Sequence, residues 1–213
     1  MPLAILRRMP SSQAIRALSG VAVAGGIGVT VKRDSTAPIN RAVRRRIRPR
    51  ESPALTSVAR RMSFLAGPYV HPFVAVAVGA LIRLTTDQRG AGPLAASLGT
   101  LAFDNITRLF VHQRRPPRAG YHRGRYRYAY PSGHATAATS IAVAAVGEIA
   151  KRLSRSERSL LWTAVAATAL GVGWSRLYLD EHWVDDVVGG WAAGVGIGLG
   201  AAALSGLSPD RVA

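Results

Sequence analysis

The sequence predicts an all-α fold, a polytopic membrane helix bundle with about six transmembrane helices. Hydrophobic residues make up 48% of the 213 positions, and they collect in runs close to the roughly 20 residues that cross a hydrocarbon core of about 30 Å. Charged residues fall mostly at the ends of these runs, as they do in membrane spans. No stretch shows the strict polar and apolar alternation of a half-buried strand.

The first apolar run covers residues 14–31. It has the features of a secretion signal, because Arg7 and Arg8 precede it. However, Lys32 and Arg33 follow the run directly. Since basic residues at that position disfavour cleavage, we expect a helix that the protein retains.

A basic connector follows at residues 32–61, and residues 41–50 alone contain six Arg. Such a segment can lie on anionic headgroups as an interfacial helix, or it can be a solvated and partly disordered linker. The sequence leaves both interpretations open. We therefore divide the chain into an N-terminal helix with its connector, residues 1–61, and a transmembrane core, residues 62–213.

The core contains five further apolar runs. They are residues 65–84, 93–111, 132–149, 160–179 and 183–204. A loop rich in Arg and Tyr, residues 114–130, joins the third span to the fourth, and a polar hairpin, residues 151–158, joins the fourth to the fifth. If consecutive spans alternate in direction, the C-terminal ends of spans three and five and the N-terminal ends of spans four and six share one membrane face.

This alternation brings six chemically active residues to one membrane face. Ionisable groups at span ends are costly in lipid, so each requires a partner or a function. The six residues are Arg108, Arg115, His134, Arg176, His182 and Asp186. Guanidinium groups match phosphate oxygens, and a helix that begins near Pro131 offers free backbone N–H groups to an anion. The set therefore suits a phosphate group.

Two histidines and a carboxylate supply the means to move that phosphate. His182 and Asp186 are four residues apart, so they share a face if the sixth helix has begun by His182. Asp186 could then hold the imidazole in one tautomer, which leaves the other ring nitrogen free to attack phosphorus. His134 could protonate the leaving group and later take a proton from water. This chemistry requires no metal and no other cofactor. Asp104, one helical turn before Arg108, is expected to pair with it.

Three segments of the chain resemble the signature of the type 2 phosphatidic acid phosphatase family, which also contains the vanadium haloperoxidases. The first part of the signature, Lys, six residues and Arg-Pro, corresponds to residues 108–116, with Arg108 in place of Lys. The second part, Pro-Ser-Gly-His, is found at residues 131–134. The third part, Ser-Arg, five residues, His, three residues and Asp, is found at residues 175–186.

The resemblance implies a role for each of these residues. His134 is the general acid, His182 is the nucleophile and Asp186 orients it. The phosphate is bound by Arg108, Arg115, Ser132, Gly133 and Arg176. Arg108 keeps the charge of the family's Lys but not its geometry, so we expect an altered substrate preference rather than a loss of activity.

The resemblance also implies the activity. We expect an integral membrane phosphatase that hydrolyses a lipid phosphate through a phosphohistidine intermediate. Polyprenyl phosphates and polyprenyl-phosphoryl sugar phosphates, which serve as cell wall lipid carriers, are the first expected substrates, and phosphatidate-type lipids are the next. A lipid phosphotransferase with the same site and a non-catalytic lipid-binding membrane protein are the alternatives. A haloperoxidase is disfavoured because its relatives are soluble.

Other polar residues receive weaker interpretations. His71, His112 and His122 are not expected to be catalytic. His112 lies close enough along the chain to Arg115 to be weighed as a minor substrate contact. Asp180 has the helical spacing that would allow it to pair with Arg176.

The charge of the chain bears on its partners and its orientation. The formal net charge is +17, but long apolar runs interrupt it, so we expect membrane lipids rather than nucleic acid as partners. The motif face has ten Lys and Arg in residues 32–61 and six in residues 114–127, against eight on the other face. The positive-inside rule therefore predicts a multi-pass protein of the cell membrane whose active site faces the cytoplasm. Family members that act on carrier lipids commonly face outward, which argues for the other orientation.

Overall fold

The computed structural model describes residues 11–47, 52–117, 119 and 127–206. These residues contain eight α-helices, and the extended backbone among them is limited to one isolated bridge between Arg114 and Tyr128. The helices are α1 Ser11–Lys32, α2 Ala37–Ile47, α3 Pro53–Leu65, α4 His71–Thr85, α5 Gly92–Phe110, α6 Gly133–Ile149, α7 Arg155–Tyr178 and α8 Val184–Ser205. The predicted all-α class is confirmed.

The span predicted over residues 65–84 has the wrong bounds. Helix α3 ends at Leu65, and α4 begins only at His71. Pro68 and Pro72 explain the break, because proline has no backbone N–H to continue the helical hydrogen bonds. The 15 residues of α4 cover about 22 Å at 1.5 Å per residue, which is shorter than the hydrocarbon core.

The basic connector is helical over most of its length. Helices α2 and α3 occupy residues 37–47 and 53–65, while residues 48–51 lie outside the described part of the chain. Ser52 caps α3, since its hydroxyl accepts the N–H of Leu55 at 3.2 Å. The linker interpretation is therefore wrong for these two helices.

The outer surface of the bundle is apolar. Two helical stretches, Ser12–Lys32 and Val184–Ser205, are long and apolar enough to cross a membrane by length and composition. Other helices expose large apolar side chains, including Phe73, Leu84, Leu109, Leu160 and Leu170. Apolar side chains in such number on the surface are suited to lipid contact. The fold is a polytopic membrane helix bundle.

A stripe of glycines lets α8 pack closely against α6. Gly190, Gly194 and Gly198 recur at every fourth position, and a Cβ atom at each would lie 2.6 to 2.8 Å from a backbone carbonyl oxygen of α6 or its cap. Any larger residue would push the helices apart. The contact also joins the two helix starts, because the backbone N–H of Ser132 donates to the carbonyl of Asp186 at 3.0 Å.

Helix α1 packs on the opposite side of α8. A Cβ atom at Gly20 would lie 2.6 Å from the backbone nitrogen of Gly196, so the two backbones are in direct contact. The buried Tyr130 hydroxyl donates to the carbonyl of Ala24. Burial raises the pKa of Tyr130, which keeps this hydroxyl protonated as a donor. The first apolar run is therefore an integral part of the bundle.

Candidate active site

The three sequence segments meet at one end of the bundle. They surround a cavity of about 140 Å³, which we call the cationic cavity. Six of the predicted site residues line it: Arg108, Arg115, Gly133, His134, Arg176 and His182. The other two, Ser132 and Asp186, are fully buried and do not line it. The convergence expected from alternating spans is thus found in the structure.

His182 precedes α8 rather than lying within it. The helix begins at Val184, so His182 and Asp186 do not share a helical face, contrary to the expectation from their spacing. A capping arrangement brings them together instead. The Asp186 carboxylate accepts the backbone N–H of Trp183 at 2.8 Å and lies 3.3 Å from Nδ1 of His182. The spacing of four residues therefore serves a helix cap.

The hydrogen bonds of His182 define its tautomer. Its Nε2 lies 3.0 Å from Nη1 of Arg115. Because Arg can only donate, Nε2 must accept with its lone pair, and the ring proton is then on Nδ1, directed to Asp186. Burial lowers the pKa of His182 well below its usual range, and the cations of Arg115 and Arg176 lower it further. The imidazole is therefore neutral, with its lone pair on the cavity side.

Two of the three arginines are held by one glutamate. The carboxylate of Glu181 lies 3.8 Å from Arg115 and 3.9 Å from Arg176, and the Glu181 carbonyl accepts from Arg115 at 2.7 Å. Arg176 also donates to the hydroxyl of Ser63 on α3. These contacts fix the two guanidinium groups beside the cavity.

Arg108 is held by a different carboxylate. Its Nη2 lies 3.4 Å from Oδ2 of Asp104, one turn earlier on α5, which confirms the expected pair. The same oxygen approaches the start of α6 so closely that a Cβ atom at Gly133 would lie 2.1 Å from it. A side chain at position 133 would therefore displace the Asp104 carboxylate from its place beside Arg108.

Ser132 has a structural contact instead of a cavity position. It is the N-cap of α6, and its hydroxyl accepts the backbone N–H of Ala135 at 3.5 Å. Ser132 is fully buried. Gly133 and His134, which follow it, are the residues of this segment that reach the cavity.

The structure adds residues that the sequence did not indicate. His71 at the start of α4 is buried, lines the cationic cavity and contacts the Ser97 hydroxyl at 2.9 Å through Nδ1. Tyr69 and Asn105 also line the cavity. None of them belongs to a motif, so no sequence signal marked them. His112 does not line this cavity and stacks on Tyr128, with ring centroids 4.5 Å apart.

Helix α2 contacts both sides of the His182 segment. Arg44 forms an ion pair with Asp180 at 2.7 Å, so the expected pairing of Asp180 with Arg176 is wrong. Asn40 donates to the buried Asp185 at 2.8 Å. The two carboxylates that flank His182 in the sequence, Asp180 and Asp185, are thus bound to the N-terminal part of the chain.

A second, apolar cavity adjoins the first. It has a volume of about 470 Å³ and lies among α3, α4, α6 and α7. His71 lines both cavities, so it marks their junction. We call it the apolar cavity, and its lining includes Met62, Leu65, Val74, Val78, Ile141, Leu161, Val165 and Val172.

Comparison with known proteins gives consistent results. A family model described as the PAP2 superfamily matches residues 90–208. No curated protein sequence matches the chain significantly. Among solved structures, the crystal structure of the first transmembrane PAP2 type phosphatidylglycerolphosphate phosphatase from Bacillus subtilis is similar, with a TM-score of 0.75 and 19% sequence identity. The match covers 86% of this chain and 92% of that chain. At this identity the similarity concerns the fold.

Proposed function

The chain belongs to the PAP2 superfamily, whose model matches more than half of it, and from this premise we propose that it is an integral membrane phosphatase that hydrolyses a lipid phosphate through a phosphohistidine intermediate. The observation that carries the proposal is the junction of the cationic cavity with the apolar cavity at His71. A phosphate requires the first environment and a lipid chain requires the second. Both lie inside one membrane bundle.

The cationic cavity has the size and charge for a phosphate group. Its volume of about 140 Å³ is well above the roughly 10–15 Å³ that a single water requires. Arg108, Arg115 and Arg176 line it from three different segments. Their guanidinium groups neutralise the phosphate charge, including the charge that develops during transfer. Gly133 offers the backbone of a helix start.

The first step transfers the phosphoryl group to the protein. Nε2 of His182 attacks phosphorus, and the P–O bond to the lipid breaks as the P–N bond forms. His134 gives its proton to the leaving oxygen. Asp186 accepts the Nδ1 proton in a hydrogen bond and stabilises the positive charge on the phosphorylated ring.

The second step returns the protein to its starting state. A water molecule attacks the phosphorus, His134 takes its proton, and the P–N bond breaks. Inorganic phosphate leaves, and His182 is again neutral. Before Nε2 of His182 can attack phosphorus, its hydrogen bond from Arg115 must break. The N–H of Arg115 can then donate to a phosphate oxygen instead.

The apolar cavity supports a substrate with a long hydrocarbon chain. Its lining consists mostly of apolar side chains, and a hydrocarbon chain can lie against them without the loss of hydration that a polar group would suffer. We place polyprenyl phosphates and polyprenyl-phosphoryl sugar phosphates first among substrates. Phosphatidate and phosphatidylglycerol phosphate follow, and the similar Bacillus subtilis structure, titled as a phosphatidylglycerolphosphate phosphatase, supports including the latter.

We also propose that the active site faces the cytoplasm. Helix α2 lies on the motif face and exposes Arg41, Arg45 and Arg46, which favours the cytoplasmic side. The chain has no Cys, so a single Arg46→Cys substitution introduces a unique label site. An impermeant maleimide should label it in broken cells but not in intact cells. Labelling in intact cells would contradict the proposed orientation.

A phosphate-release screen tests the function. The purified protein in detergent is given each lipid class, with a water-soluble phosphate ester for comparison. We expect release from at least one lipid, retained in EDTA, reduced by vanadate and lost in His182→Ala. Product analysis in the presence of an acceptor alcohol separates hydrolysis from phosphotransfer. A protein that only binds lipid would release no phosphate from any of them.

A further inference from the structure

A third cavity lies on the other side of the catalytic loops, and we propose that it binds the phosphate headgroup of an anionic membrane phospholipid as an effector. We call it the rear cavity. It has a volume of about 470 Å³, and its lining includes Lys32, Arg41, Phe110, Gln113, Arg114 and Trp183. It shares no lining residue with the cationic cavity. A ligand there would thus be distinct from the substrate.

The charge of the rear cavity selects an anion. Lys32, Arg41 and Arg114 come from three separate segments, and Asp34 is the carboxylate among the described lining residues. The lining therefore has an excess of two positive charges. A phosphodiester offers oxygen acceptors to all three cations, and guanidinium groups bind such oxygens in a bidentate manner.

The position of the rear cavity favours a lipid over a soluble anion. Lys32 ends α1, and Trp183 comes directly before α8. Among the described residues, these two helices are long and apolar enough to cross a membrane. Phe110 ends α5 beside them. Helix ends of this kind lie at the level of the headgroups, where aromatic and basic side chains collect.

The rear cavity and the cationic cavity are lined by neighbouring residues of the same two loops. Arg114 and Trp183 line the rear cavity, while their neighbours Arg115 and His182 line the cationic cavity. The indole of Trp183 donates to the carbonyl of Arg114 at 2.8 Å, which ties the two loops together. An anion held by Arg114 and Arg41 would therefore restrain the loops that carry the site.

A second contact connects the rear cavity to the catalytic segment. Gln113 and Asn40 line this cavity, and both donate to the carboxylate of Asp185, at 3.2 and 2.8 Å. Thr36 donates to the same oxygen at 2.5 Å. Asp185 is the neighbour of Asp186, which orients His182. A ligand that restrains Asn40 and Gln113 in the rear cavity would therefore also restrain Asp186. We expect headgroup binding to raise catalytic efficiency.

Binding is tested independently of the proposed function. His182→Ala protein is placed in nanodiscs of phosphatidylcholine with phosphatidylserine, an anionic diester that is neither a phosphate monoester nor the product of its hydrolysis. Native mass spectrometry after release counts the phosphatidylserine retained. We expect Arg41→Gln to weaken retention about fivefold, the effect of one basic residue near a membrane surface. Arg45→Gln, an equal charge change on an exposed residue of the same helix, should retain as much phosphatidylserine as the protein without this substitution.

The effector role is tested by activity of the otherwise native protein. Phosphatidylserine should raise kcat/KM above its value in phosphatidylcholine nanodiscs, and this ratio should fall towards one in Arg41→Gln but not in Arg45→Gln. Equal retention by the two variants would overturn the site. Clear retention without any rise in kcat/KM would overturn the effector role while leaving the proposed function intact.

Discussion

Arg44 and Asp180 form a two-point ion pair, with Nε 2.7 Å from Oδ1 and Nη2 2.8 Å from Oδ2. Asp180 has a left-handed backbone, with φ of 57°, and lies two residues before His182. Arg44 belongs to α2, which lies outside the residues matched by the family model. The N-terminal segment thus helps to shape the loop that carries the proposed nucleophile.

Loss of this ion pair should lower kcat more than it weakens substrate binding. We expect Arg44→Gln to lower kcat by about ten- to a hundredfold, because small displacements of a reacting group have effects of that size. The KM should change little, and Arg44→Lys should recover part of the rate. Steady-state kinetics compares these variants with Arg46→Gln, a similar change at an exposed residue. A normal kcat in Arg44→Gln would contradict a positioning role.

Arg108 should determine substrate preference. Restoring the family's residue with Arg108→Lys keeps the charge but alters the contact with Asp104. We expect activity within about tenfold of the native protein, with a changed ranking across the lipid panel, whereas Arg108→Ala should lose about 10²- to 10³-fold. Arg83→Lys, at an exposed position on α4, is the control. An unchanged ranking of the lipids in Arg108→Lys would contradict the role of Arg108 in substrate preference.

Gly133 should not tolerate even alanine. The added Cβ would displace Oδ2 of Asp104 and with it the support of Arg108. We expect at least about a hundredfold loss of phosphate release with the protein still folded. Gly25→Ala is the matched control, since nothing lies within 4 Å of its added Cβ. That variant should keep full activity and be slightly more stable, because alanine favours a helix by up to about 1 kcal/mol over glycine.

His182 should remain neutral in mildly acidic solution. Its lowered pKa means that Nε2 stays unprotonated as the pH falls through the ordinary value of 6.5. Any acid-side loss of kcat/KM from this group should therefore occur well below that pH. Nitrogen-15 histidine NMR in detergent, assigned with His182→Asn, checks this. At about pH 6 we expect a neutral ring with its proton on Nδ1. An imidazolium ring or a proton on Nε2 would contradict the structure.

The sequence was sufficient for the class of fold and for the convergence of the motifs, because both follow from the apolar pattern. Charges at the ends of the apolar runs, together with alternating span directions, place Arg108, His134 and Arg176 on one membrane face. The errors arose where local chemistry interrupts that pattern. Pro68 and Pro72 broke a span that hydrophobicity alone made continuous.

Contacts between segments that are distant along the chain cannot be predicted from the sequence pattern. The pairing of Asp180 with Arg44 joins residues 136 positions apart, and a helical spacing rule could propose only Arg176 as its partner. His71 carries no motif, yet it stands at the junction of two cavities. Such residues are revealed by packing, since their role depends on which helices lie side by side.

The nucleophilic role of His182 is tested most directly by trapping the phosphorylated protein. The protein is mixed with a lipid substrate carrying ³²P in its phosphate, quenched in alkali within the first turnover, and the labelled peptide is identified by mass spectrometry. We predict label on the peptide that contains His182, no label in His182→Ala, and a fall in phosphate release of about 10⁴-fold or more in that variant. Turnover without label on His182, or substantial activity in His182→Ala, would contradict the account.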